Sequence, residues 1–398
     1  MSASPENPEI RLLDGTFYLG RPLDHYRWLR RHAPVYWDAS ASLFAVSLHE
    51  DVMAVSKNPE VFCSRMSSRP DAPAIPSMIN LDDPQHKRRR NLVNKGFTPR
   101  RVDDHEPKVR AICRDLIRRV SAKGGCEFVH EVAAPLPMIV IGDLLGVEPE
   151  DRDKLLRWSD DLIAGTDAAA PPDVKVRMMV AATEYVQYAQ RVIADRRAKP
   201  LQDDLMSVLV HAEIDGERLS DEDLIQESLL ILVGGDETTR HVITGGMLAL
   251  IQHPDARRAL AANPAAIPTA VEEMLRWVTP IKNMNRTATR DTEIRGQKVR
   301  EGDKVLLLYE AANRDERVFR DPDRFDVTRN PNDHVAFGGY GAHFCLGASL
   351  ARLELRIMFE ELLAALPDIE LAGEPKLRPS NFIVGIDHMP VVFTPRSD

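Results

Sequence analysis

Apolar positions recur at three- and four-residue spacing along most of the chain. This period predicts helices over 104–122, 135–146, 150–164, 174–198, 222–252, 268–277 and 347–365. Shorter runs rich in β-branched and aromatic residues, near 34–47, 293–309 and 382–394, read as strands. The first and last of these lie at opposite ends of the chain. Proline-rich breaks at 69–76 (RPDAPAIP) and 167–173 (DAAAPPD) are too short for domain linkers and read as loops between helices. With no internal repeat and no low-complexity tract, residues 1–398 read as a single, mainly helical domain with a small β region.

Two segments break the helical pattern in ways that need a reason. In LLILVGGDETTRHVITGGMLALI (229–251) an acidic pair and two threonines interrupt an otherwise apolar helix, next to adjacent glycines. Interior glycines cost about 1 kcal/mol each relative to alanine. Close approach of something flat or small to the backbone would justify them, as would two helices broken at Gly-Gly with a polar seam. In FGGYGAHFCLG (337–347) three glycines lead to Cys345, directly before the helix-forming run ASLARLELRIMFEELLAAL. A thiol at a helix start is biased toward the thiolate. A thiolate on a glycine-rich loop is the axial ligand expected of a haem that activates oxygen; a buried structural cysteine is the plainer alternative.

Composition narrows the classes. Of 398 residues, 43% are hydrophobic and 28% charged, an ordinary globular balance. The net charge of −9 excludes broad nucleic-acid affinity. Four cysteines in a chain this long make no disulfide framework, and a reducing cytoplasm is the expected location. The run Val132–Gly142 contains prolines and is far too short to span a membrane, and the N-terminus lacks the pattern of a signal peptide.

Together the cysteine loop and the central helix resemble the cytochrome P450 superfamily, the haem-thiolate monooxygenases, in the soluble bacterial form. The similarity runs from DPQHKRRRNLVNKGFTPRRV (83–102) to SNFIVGIDHMP (380–390). It implies haem b held between the acid–threonine helix and the cysteine-ligand helix, with Cys345 on the iron, dioxygen as co-substrate and no flavin in this chain. Gly234 and Gly235 match the motif's glycines, and Gly234 would lie against the haem; Thr238 would hydrogen-bond the dioxygen and Glu237 would relay protons. Asp236 falls at the motif's variable position and is expected to be solvated or paired. His86, Arg90, Arg286 and His343 would serve the haem propionates, although His86 and Arg90 alone would read as a solvated basic face. Glu273 and Arg276 match the family's Glu-x-x-Arg, with Arg324 as the downstream arginine. Phe337 stands eight residues before the cysteine rather than the usual seven, which leaves its packing open.

The lengthened cysteine loop with GGDETTR resembles actinobacterial members that oxidise the side chain of cholesterol or cholestenone. By that likeness Ile75, Met78, Ile79, Val233, Val278, Ile281, Met284, Phe382 and Ile383 would line an apolar pocket. A ferredoxin and its reductase would supply electrons, drawn by the basic cluster Lys87, Arg88, Arg89, Arg100 and Arg101. Oxidation of another lipophile, a peroxide-driven peroxygenase and a haem sensor or carrier are the rival functions; the acid–threonine pair weighs against the last two.

Overall fold

The structure is a computed structural model that describes residues 7, 9–19, 22–94, 97, 99–165, 170–214 and 216–396. Helices fall where the apolar period places them: Glu106–Ser121, Pro135–Leu144, Arg152–Ala164, Pro172–Ala198, Asp221–Gln252, Ile267–Val278 and Ala348–Ala365. Shorter helices that the pattern did not reveal include Leu23–His32, His49–Ser56, Gln85–Val93 and Pro254–Ala262. Eight to ten residues give too few turns for a period to stand out.

The helix Asp221–Gln252 is the axis of the molecule. Its start is fixed by a reciprocal cap, in which Ser220 accepts from the Asp223 amide and Asp223 accepts from the Ser220 amide. Three acids in the first turn, Asp221, Glu222 and Asp223, suit the positive end of the helix dipole. Glycines then let neighbours close in. A Cβ on Gly235 would stand 2.7 Å from Ile141 Cδ1, on Gly245 2.8 Å from Val278 Cγ2, and on Gly246 2.9 Å from Phe359 Cζ. The helices Pro135–Leu144, Ile267–Val278 and Ala348–Ala365 therefore seat directly on the axis, and overpacking any of these contacts would cost about 1–3 kcal/mol.

The β region lies to one side. A five-stranded sheet runs in the order Val35–Asp38, Leu43–Val46, Lys304–Leu308, Asn283–Ala288 and Phe62–Cys63. Its second and third strands are parallel and the other pairs antiparallel. Sequence-distant segments are thus joined, and Arg286 is carried on an inner strand opposite Val305. Near the other end of the chain, Pro390–Val392 pairs with Gly125–Glu127, which ties the C-terminal segment to the helical body. No helix among the described residues is long and apolar enough to cross a membrane.

Candidate functional site: a thiolate loop beneath the central helix

The cysteine loop is shaped by what it packs against. Gly338 is left-handed (φ 94°), and so is Tyr340 (φ 57°). Cβ atoms on Gly339 and Gly341 would collide with Ser56, the first with its hydroxyl and the second with its carbonyl oxygen. The Cys345 amide donates to Phe337 O at 2.9 Å, which closes the loop. Phe337 packs against the main core, with the Arg352 guanidinium 4.6 Å above its ring and Phe344 edge-on. Tyr340 stacks on Phe344 at 5.0 Å.

Cys345 lies three residues before the helix Ala348–Ala365, its side chain accessible although the surroundings are protein on all sides. Burial pushes its thiol up, against the opposing pull of the Gly347 amide, Arg90 and Arg352. Desolvation thus outweighs the helix start, contrary to the expectation from position alone. Coordination to a metal deprotonates such a thiol.

Above the loop, four nitrogen-bearing side chains converge. The His86 and His343 rings lie 4.1 Å apart, and Arg90 donates to the carbonyl of Phe344. Burial, then Arg286, His86 and Arg90, hold His343 down at about 2. Burial lowers Arg286 as well. Two arginines and two histidines that suppress one another's charge call for an anion among them. The carboxylates of a haem fit that donor set, and Cys345 would supply a sulfur ligand to its iron.

On the central helix, Gly234 alone is exposed in the stretch 231–240, and a Cβ there would meet nothing within 4 Å. The two glycines thus serve different ends: Gly235 seats Ile141, whereas Gly234 leaves the helix face open. Thr238 is half-buried and donates its hydroxyl to Gly234 O at 2.8 Å. Glu237 is fully buried; one oxygen pairs with Arg240 and the other meets His241 Nε2 at 3.1 Å. Burial works against its ionisation, but Arg240 and His241 outweigh that and hold the carboxyl well below the usual range. Arg240 continues to Asp160 at 2.8 Å, whose side chain is 34% exposed. Asp236 is neither solvated nor paired, as the motif had suggested. It is completely buried with neither oxygen hydrogen-bonded, and burial pushes its carboxyl up to about 8.

The acid–base network differs from expectation at one position. Glu273 and Arg276 are both completely buried and joined by two hydrogen bonds of 2.7 and 2.8 Å. The downstream arginine that reaches Glu273 is Arg329, at 3.0 Å, with Asn332 at 3.2 Å and the Asp326 amide at 2.8 Å. Arg324 has an exposed side chain and contributes only its carbonyl, to Arg276 and Arg329. Its side chain turns outward, and five residues later Arg329 reaches back to Glu273.

The residues expected in the pocket divide similarly. Ile281 bridges to Ile383, Met78 and Ile383 are buried, and Ile79, Val233, Met284 and Phe382 are half-buried. Ile75 is exposed, and Val278 is a core residue packed into the gap at Gly245. The sequence did not disclose three contacts that hold this wall. Arg69 stacks over Phe382 at 4.1 Å and reaches Asn283 and Asn381. Glu227 accepts from the Met78 amide at 2.7 Å, and Arg89 turns inward to Glu227 and Asp223 rather than facing solvent. Lys87 and Arg88 remain exposed; the side chains of Arg100 and Arg101 lie outside the described residues. The spacing Glu237–Arg240–His241 is the one missed signal that was readable, since residues three and four apart share a helix face.

Comparison with known proteins decides what this constellation is. The cytochrome P450 family profile matches residues 34–267 and 266–367. The chain belongs to the cytochrome P450 family. This P450 is 50% identical over 394 residues to a steroid C26-monooxygenase of Mycobacterium tuberculosis, covering 98% of each chain. It is 49% identical over 391 residues to a steroid C26-monooxygenase of Mycolicibacterium smegmatis, covering 98% of this chain and 97% of the relative. Among solved structures, a Mycobacterium marinum cytochrome P450 in complex with pseudoionone superposes with a TM-score of 0.90 at 35% identity, over 99% of this chain and all of the other. The P450 is accordingly a haem-thiolate monooxygenase that uses dioxygen, with the haem between the acid–threonine helix and the cysteine-ligand helix.

Proposed function

We propose that this P450 hydroxylates the terminal side-chain methyl of a sterol, cholesterol or cholest-4-en-3-one, with electrons from a ferredoxin and its reductase. The observation that carries the reading is half identity, over essentially the whole chain, to two relatives named for C26 oxidation of steroids. The half-buried apolar wall of Val233, Ile281, Met284 and Phe382 suits the same substrate class. A four-ring sterol offers several hundred Å² of apolar surface at roughly 25 cal/mol per Å².

The reaction inserts one oxygen atom into a C–H bond and releases the other as water, which consumes two electrons and two protons. Haem, when bound through Cys345, supplies the oxygen activation, and thiolate electron donation favours O–O cleavage. The remaining work falls to side chains. His86, Arg90, Arg286 and His343 neutralise the propionates. Thr238 holds a hydroxyl that can turn from Gly234 O toward the reacting oxygen. Glu237, Arg240 and Asp160 form a continuous polar connection from that hydroxyl's helix to the surface. The apolar wall excludes water and orients the methyl group.

The test is a side-by-side titration of sterols, fatty acids and macrolides, read by the haem spin-state change, followed by product analysis with a ferredoxin system. Sterols should bind at the lowest concentration and carry new oxygen on a terminal side-chain carbon. Tighter binding of a macrolide or terpene, or oxidation confined to the rings, would refute the proposal. Exposed Lys87 and Arg88 favour an acidic electron donor, so electron transfer should slow as salt rises.

A further inference from the structure

Away from the haem, two histidines and a glutamate meet where the C-terminal strands join the helical body. Glu127 ends the strand Gly125–Glu127, His130 follows in the helical turn Val129–Ala133, and His388 ends the strand Ile386–His388. Strand pairing of Pro390 with Glu127 brings the two segments together. The candidate donor atoms of all three side chains lie within 4.8 Å of one another.

The carboxylate is already positioned. Glu127 Oε1 accepts from the Met389 amide at 2.6 Å and Oε2 from the His130 amide at 2.8 Å, and each oxygen keeps another lone pair. Backbone donors of this kind orient a ligating carboxylate. The two imidazoles touch, with centroids 5.3 Å apart and planes at 68°. Both are exposed, and no ring nitrogen of either is hydrogen-bonded among the described residues. They can turn their nitrogens toward a common centre without breaking an existing contact.

We propose that Glu127, His130 and His388 bind a divalent transition-metal ion of the zinc class, which clips the C-terminal strand to the turn after Glu127. Two imidazole nitrogens and one carboxylate oxygen match borderline ions rather than hard calcium or magnesium, with water completing a tetrahedron. Donor distances of about 2.0–2.2 Å are reached by rotating the exposed rings. Lys376 stands opposite His388 in the strand register, so its positive charge opposes a cation there. The clip acts on the segment that runs back to Phe382 and Ile383, and it is independent of the proposed hydroxylation.

The experiment uses haem-loaded protein without a histidine tag, titrated with Zn2+ by calorimetry and melted with and without the ion. One saturable site and a rise in melting temperature are expected, because a ligand that binds only the folded state stabilises it. His130→Ala and His388→Ala should each weaken binding at least tenfold and abolish the rise, while the zinc-free melting temperature and the haem spectrum stay as in the parent. Glu127→Gln should weaken binding while retaining one backbone acceptor. Absence of saturable binding, or unchanged binding in the double histidine variant, would overturn the site.

Discussion

The two faces of the haem site are built by opposite strategies. Beneath it, the segment that leads into the cysteine loop is clamped by a completely buried ion pair and three further donors to Glu273, and the glycines of the loop press onto Ser56. Above it, the segments proposed to line the substrate site are held by separate ties: the Met78 amide on Glu227, the Phe382 ring under Arg69, the bridge between Ile281 and Ile383, and the Lys282 and Asn283 side chains on the backbone of residues 380–383. A ligand sulfur has one correct position, and many mutually dependent contacts fix it. The ties on the upper face are separate from one another, whereas those below converge on one carboxylate, Glu273.

The sharpest test of this contrast is at its centre. Cys345→Ser should abolish the absorption band of the carbon monoxide complex of thiolate-bound haem, whereas substituting Cys63, Cys113 or Cys126 should leave it in place. Next in size is the clamp. Glu273→Ala leaves Arg276 buried without its counter-charge and should cost about 3–5 kcal/mol in denaturant unfolding. Arg324→Ala should stay within about 0.5 kcal/mol, as for an exposed side chain. An equal loss at Arg324 would break the assignment of Arg329 as the inward arginine.

On the upper face the effects concern turnover rather than folding. Thr238→Ala should lower product formation by about 10²-fold while electron uptake continues and hydrogen peroxide accumulates. Retained coupling would remove Thr238 from proton delivery. The smallest effect is a pH dependence at the Met78 tether. Burial, exceeding the pull of Arg89 and of the Met78 amide, raises Glu227 from 4.5 to about 7. A carboxyl raised in the closed state favours closure when protonated, so its stabilising contribution is complete below about pH 4.5 and is lost as pH rises through 7. Exchange of the Met78 amide should therefore quicken, and sterol binding weaken, between pH 5.5 and 8. Glu227→Gln should flatten both profiles.

How much of this was legible in the sequence follows the same division. The cysteine loop, the acid–threonine helix and the Glu–Arg pair carry short-range patterns, and the structure brings their residues together. The errors lie where a choice between similar residues is made by distant chain. Arg324 and Arg329 are both arginines after the same turn, and only the path over Glu273 selects one. Arg89 sits in a run of four basic residues, yet the acids that draw it inward, Asp223 and Glu227, are more than 130 positions away. Val278 and Ile281 are equally apolar, and the gap at Gly245 claims the first for the core. The loss of solvent around Asp236 was likewise invisible, since its neighbours in sequence permit either face.

The contact between Gly341 and Ser56 also joins the two ends of the polypeptide. The loop that carries the metal ligand is among the last parts of the chain to be made, but its seat is the end of a helix made among the first. No residue with a side chain could occupy position 341 while that helix is docked. The mould for the ligand loop is therefore supplied by the opposite end of the polypeptide, so the geometry of the loop depends on a helix almost 300 residues away.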